Sequence, residues 1–164
     1  MPTFSGPTEA HSGVPLLLGP SGFHVRATSF VECADSLSQG KRPWLVVQAF
    51  LYARATELAL KAFLLAKGNT IMDAKKLGHD LEKLLKRAKE LGLDQMVPPR
   101  KGDADLFRRL NEYYCDKRLE YFELESAWQG FPGLPKSPAL QDTVHRLLTG
   151  IVPLCRSAEA TFPS

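Results

Sequence analysis

Between Pro43 and Gly68 the chain is apolar on nearly every side of a helix. Trp44, Val47, Leu51, Leu58, Ala62 and Leu65 form one stripe. Val46, Phe50, Ala53, Leu60, Phe63 and Leu64 cover most of what is left. A helix of this kind must be surrounded by other elements, because it has no polar face to give to water. Pro43 suits the first turn of a helix running from about Arg42 to Lys67, and Gly68-Asn69 suits its end. Helical periodicity puts Phe50, Arg54, Glu57, Lys61 and Leu64 on one strip. Three charges therefore interrupt an apolar strip, and charges in such a place are costly unless paired.

The segments around this helix have to supply its cover. Leu81, Leu84, Leu85, Ala88 and Leu91 repeat at helical spacing, which predicts an amphipathic helix from Asp80 to Leu91 stopped by Gly92. Asp80 and Glu82 sit in its first turn and Lys86, Arg87 and Lys89 sit late, as the helix dipole favours. Leu106, Leu110, Tyr113, Lys117, Tyr121 and Leu124 predict a further helix from Asp103 to about Glu125. On it, Phe107, Asn111, Tyr114 and Arg118 form an adjacent strip. Leu140, Val144, Leu147, Leu148, Ile151 and Cys155 mark a last helix. Ser137 is placed to cap it, Pro138 opens it, and Pro153 is a point where it would kink. A short first helix is expected from Thr28 to Gln39. No segment alternates like a strand. The expected fold is all-α: an up-and-down bundle of four main helices plus a short N-terminal helix.

Pro, Gly and Ser dominate the start of the chain, so residues 1–26 are expected to be an irregular arm. Residues 27–158 would be a single helical domain and 159–164 a tail. With 164 residues the chain has enough length for one sizeable core. Its net charge of +3 permits an anionic partner without demanding one. No apolar run approaches the ~20 residues of a membrane span, and no signal peptide is visible, so a cytoplasmic protein with no membrane contact is expected. Cys33, Cys115 and Cys155 are widely separated and form no CxxC pair, which points to neither a disulfide framework nor a metal site. No cofactor is expected.

The candidate site is a polar cluster: Arg54, Glu57, Lys61, His79, Asp80, Asn111, Tyr114 and Arg118. Glu57 and Lys61 have the favourable i, i+4 order of an ion pair. The plainer reading is a solvated stripe, in which each pair contributes only a few tenths of a kcal/mol. His79 suits proton transfer or anion contact, or a simple bond to a loop carbonyl. Asp80 suits a helix cap. The face Gln48, Tyr52, Ala55, Ala59 and Ala66 is rich in small residues and would let another helix approach closely in a symmetric homodimer.

Three blocks in order, Glu57-Leu-Ala-Leu-Lys-Ala-Phe-Leu64, Lys76-Leu-Gly-His-Asp-Leu81 and Leu110-Asn111-x-x-Tyr114 with Arg118, resemble a HEPN domain of an uncharacterised bacterial branch. The resemblance implies a helical bundle, usually dimeric. Many such proteins are metal-independent ribonucleases or toxins, or partners of nucleotidyltransferases. Their nuclease motif is an Arg followed a few residues later by His. Here none of His11, His24, His79 or His145 has an Arg five to seven residues upstream.

Three functions fit these residues. The first is a noncatalytic module that binds an anionic ligand, a nucleotide, RNA or a partner protein through the cluster. A nucleotidyltransferase or an antitoxin is the partner that the resemblance implies. The second is a metal-independent endoribonuclease with a rearranged site, His79 as acid and base and Arg118 on the phosphate. The third is a structural dimerisation module whose buried network fixes helix register.

Overall fold

The computed structural model describes residues 18–38, 45–121 and 128–161, and these are mainly helical, with no strand among them. In chain order the helices are α1 (Pro20–Ser38), α2 (Leu45–Ala66), α3 (Ile71–Lys76), α4 (Leu81–Glu90), α5 (Leu93–Met96), α6 (Asp103–Tyr114) and α7 (Ser137–Glu159). Among the described residues no helix is long and apolar enough to cross a membrane. Residues 1–17, and the roles expected of Pro43, Trp44 and Leu124, lie outside the described residues.

α2 is the axis of the bundle. Every residue from Ala55 to Leu60 is buried, which requires neighbours on all sides. α1, α4, α6 and α7 supply them. The helix stops where Gly68 adopts φ +87°, a conformation that costs glycine little. The Gly68 and Asn69 amides then donate to the Leu65 and Leu64 carbonyls, each at 3.0 Å, closing the helix end.

α1 starts at Pro20, not near Thr28, and so the expected arm does not extend to residue 26. Pro20 and Gly22 made this stretch read as irregular. Pro is harmless in a first turn, where the lost amide has no partner to give up, and Gly22 is buried by packing. The helix has 19 residues and buries Ala27, Val31 and Ala34 along one face.

The small-residue face of α2 is not a free surface. Gln48, Tyr52, Ala55 and Ala59 are buried within a single chain. Gln48 donates to the Ala34 carbonyl at 3.1 Å and to Ser38 Oγ at 2.7 Å, and Tyr52 donates to Asp35 Oδ1 at 2.6 Å. Gln141 and His145 of α7 complete this second polar group around Asp35, at 3.1 and 2.7 Å. A dimer through that face is thereby excluded.

α6 also departs from expectation. It ends at Tyr114 instead of continuing toward Glu125. Lys117 takes φ +60°, and the Arg118 amide reaches back to the Tyr113 carbonyl at 2.9 Å. This is the same closing geometry as at Gly68, with lysine at the left-handed position. α7 runs from Ser137 through Pro153, and Ser137 Oγ donates to Gln48 Oε1 at 2.8 Å instead of capping its own helix.

Candidate functional site

Glu57 lies in the middle of α2 with only 1% of its side chain exposed, and it is the centre of the site. A bare carboxylate there would be prohibitively costly. Four donors converge on it. Lys61 Nζ reaches Oε1 at 2.6 Å from the next turn of α2. Arg54 Nη1 reaches Oε2 at 2.9 Å from the preceding turn. His79 Nδ1 reaches Oε2 at 3.0 Å from the loop before α4, and the Tyr114 hydroxyl donates to Oε2 from the end of α6.

Because an ionised carboxylate only accepts, the His79 contact assigns the ring proton to Nδ1. Gly78, at φ +63°, makes the turn that brings His79 back over α2. The His79 and Tyr114 rings meet edge to face at 6.3 Å, and Phe50 packs against Tyr114 with ring centroids 6.2 Å apart.

Burial by itself pushes the Glu57 carboxyl up. Hydrogen bonds from Lys61, Tyr114 and His79 outweigh it and hold the group below the usual carboxylate range. Burial and then the Glu57 charge push the Tyr114 phenol up, so it stays a donor. Burial opposes the Arg54 charge, and Glu57 together with Tyr114 more than offsets that. Arg54 and Lys61 against Glu57 leave a surplus of one positive charge. Arg54 and His79 are the more open members, at 33% and 45% side-chain exposure, while Lys61 is nearly covered.

Asp80 and Asn111 form a second unit next to the first. Asp80 Oδ1 accepts the Glu82 and Lys83 amides at 3.1 Å each, capping α4. Asn111 Oδ1 accepts the Leu81 amide at 2.8 Å, and its Nδ2 donates to Asp80 at 3.1 Å and to Glu82 at 3.3 Å. The two residues lock the start of α4 to α6, and with it the loop that carries His79. Asp80→Ala should therefore cost about 1 kcal/mol, as loss of a helix cap does. Thermal melts measure it; an unchanged midpoint would show the cap to be idle.

Arg118 does not join the cluster. It was expected on the Asn111–Tyr114 strip of a longer helix, but that helix has already ended. Its guanidinium lies over the Tyr113 ring at 4.9 Å, and its buried Nε has no hydrogen-bond partner. The same ring meets Phe131 edge-on at 5.4 Å. Seven of the eight expected residues are thus linked, in two adjoining units. The Asp35 group went unforeseen, although Gln48 and Tyr52, polar and four apart in an apolar helix, carried its signal.

The search of curated proteins and the search of solved structures return no match. The profile of the HEPN domain matches residues 26–132, which include α2 to α6 and all eight residues discussed above. Taken with the all-α bundle, this match over more than half of the chain establishes that the protein belongs to the HEPN domain family.

Proposed function

We propose that this HEPN domain binds an anionic ligand, a nucleotide or the phosphates of RNA, at the cluster around Glu57. One observation carries the reading: a single buried carboxylate holds two permanent cations and an imidazole together, and two of these three stay open to solvent. Glu57 pre-orients Arg54 and His79, so a bound phosphate would not have to order them, and it would meet charge-assisted donors at a site of net positive charge. The cluster serves binding without a reaction in this reading. Arg118, stacked on Tyr113, takes no part. A symmetric homodimer in the cytoplasm, acting with a nucleotidyltransferase or an antitoxin, is the setting that the family suggests.

The orientation of His79 supports a second reading, a metal-independent endoribonuclease. With Nδ1 tied to Glu57, Nε2 has no partner among the described residues and is available as acid or base. Arg54, and not Arg118, would then face the phosphate.

Fluorescence anisotropy with labelled single-stranded RNA and with a labelled nucleotide separates these readings. Affinity should fall as salt rises from about 50 to 200 mM, because each phosphate contact releases counterions. Arg54→Ala should weaken binding about tenfold, in the range of one lost charge-assisted contact, and Arg118→Ala should not. Absence of binding, or binding indifferent to salt, would favour a purely structural network. RNA cleavage that disappears in His79→Ala would favour the nuclease.

A further inference from the structure

The first turns of α2 keep one side open. Val47, Phe50 and Arg54 are spaced by three and four residues, so their side chains share that side. Val47 is 45% exposed, and Phe50 and Leu51 are half-buried next to it. From Leu45 to Ala53 the helix carries no charged residue, so Arg54 is its first cation. The open strip is thus apolar up to the point where the cluster around Glu57 begins. Phe50 touches that cluster directly. Its ring meets Tyr114 at 6.2 Å and is tilted by 49°, a contact that is not a stack. The His79 ring leans on the same tyrosine, and Arg54, His79 and Tyr114 all bond to Glu57 Oε2. A half-open aromatic ring therefore stands one helical turn before an open guanidinium.

We infer that Phe50 is the specificity-determining residue of the site: the ligand is a nucleotide unit whose base lies on Phe50, flanked by Val47, while its phosphate meets Arg54 and His79. This base contact rests on the anion binding proposed above and adds to it a requirement for the base. Cations alone attract any sufficiently charged anion, inorganic polyphosphate included. An aromatic ring with an aliphatic neighbour attracts only a ligand that also has an apolar face. Every base has such a face, so stacking on Phe50 demands a base without selecting which one. The order of residues along α2 sets the orientation. A phosphate finds no cation on the helix before Arg54, and a base finds its aromatic ring one turn earlier, at Phe50.

The test is isothermal titration of the full chain with ATP, with an oligoadenylate and with inorganic tripolyphosphate. Tripolyphosphate carries at least the charge of the ATP phosphates, so charge alone puts it at no disadvantage. ATP should nevertheless bind at least about fivefold more tightly, the low end of what stacking a base on an aromatic ring contributes. Phe50→Leu should bring the ratio of the two affinities toward one, and Phe50→Tyr, which keeps the ring, should preserve it. Tighter binding of the oligoadenylate than of ATP would assign the base to an RNA strand, and the reverse order to a free nucleotide. A ratio that Phe50→Leu leaves unmoved would overturn the inference, because a merely structural role weakens both probes together. Equal affinity of the unsubstituted chain for ATP and tripolyphosphate would overturn it too, while leaving the anion binding in place. Binding of none of the three probes would overturn both.

Discussion

Glu57→Ala should destabilise the protein by about 3–5 kcal/mol, the cost of removing one partner from a buried ion pair and leaving the other charge behind. The substitution orphans Lys61 and Arg54 together, releases the Tyr114 hydroxyl inside the core, and frees the loop that carries His79. Urea unfolding followed by circular dichroism measures it. A change within about half a kcal/mol would identify a solvated stripe, since exposed pairs contribute no more than that. Circular dichroism of the parent should be that of an all-α protein.

The effect also depends on pH. The folded Glu57 carboxyl is held below its ordinary range, so the unfolded state binds its proton first as pH falls. Its contribution is fully present above the ordinary carboxylate range, about pH 4 to 5. It is lost as pH falls from there through the depressed folded value. Glu57→Gln should flatten this part of the acid limb.

Tyr114→Phe should cost about 1.5–3 kcal/mol, the usual contribution of a hydrogen bond to a charged acceptor. The ring itself is kept, so its contacts with Phe50 and His79 persist and the loss belongs to the hydroxyl. Burial still pushes the Glu57 carboxyl up, and one of the bonds that opposed it has gone. Its folded value therefore rises toward the ordinary one, and acid unfolding should move to higher pH. An acid limb superimposable on the parent's would show that the hydroxyl does not stabilise the ionised form of Glu57.

The cluster was legible in the sequence to the extent that it is local. Glu57 with Arg54 and Lys61 is one helix strip, read from spacing. Asp80 as a cap for α4 is likewise a property of a few adjacent residues. His79 and Tyr114 were named as members of the cluster from residue type and, for Tyr114, from its strip on the later helix. Their contact with Glu57, across 22 and 57 residues of chain, follows only from how α4 and α6 lie on α2. Asn111 was named as a member, but its acceptance of the Leu81 amide depends on the same packing.

The errors at helix ends have one source. Helix ends are decided by left-handed residues and by packing, and sequence displays the first only when glycine marks it. Gly68 and Gly92 were read as stops and adopt positive φ. Lys117 adopts it too, with no glycine to announce it, and Arg118 leaves the site as a result. Pro20 and Gly22 read as breakers but sit where α1 can accept them.

The sequence by itself determined an all-α chain with α2 at its centre, because a helix apolar on every side has to be enclosed. It also determined that a buried carboxylate on α2 would need cations beside it. Only the tertiary structure decided which distant side chains completed that carboxylate's partners. It also decided that the small-residue face of α2 would be spent on α1, since a helix surface carries no label for the neighbour that covers it.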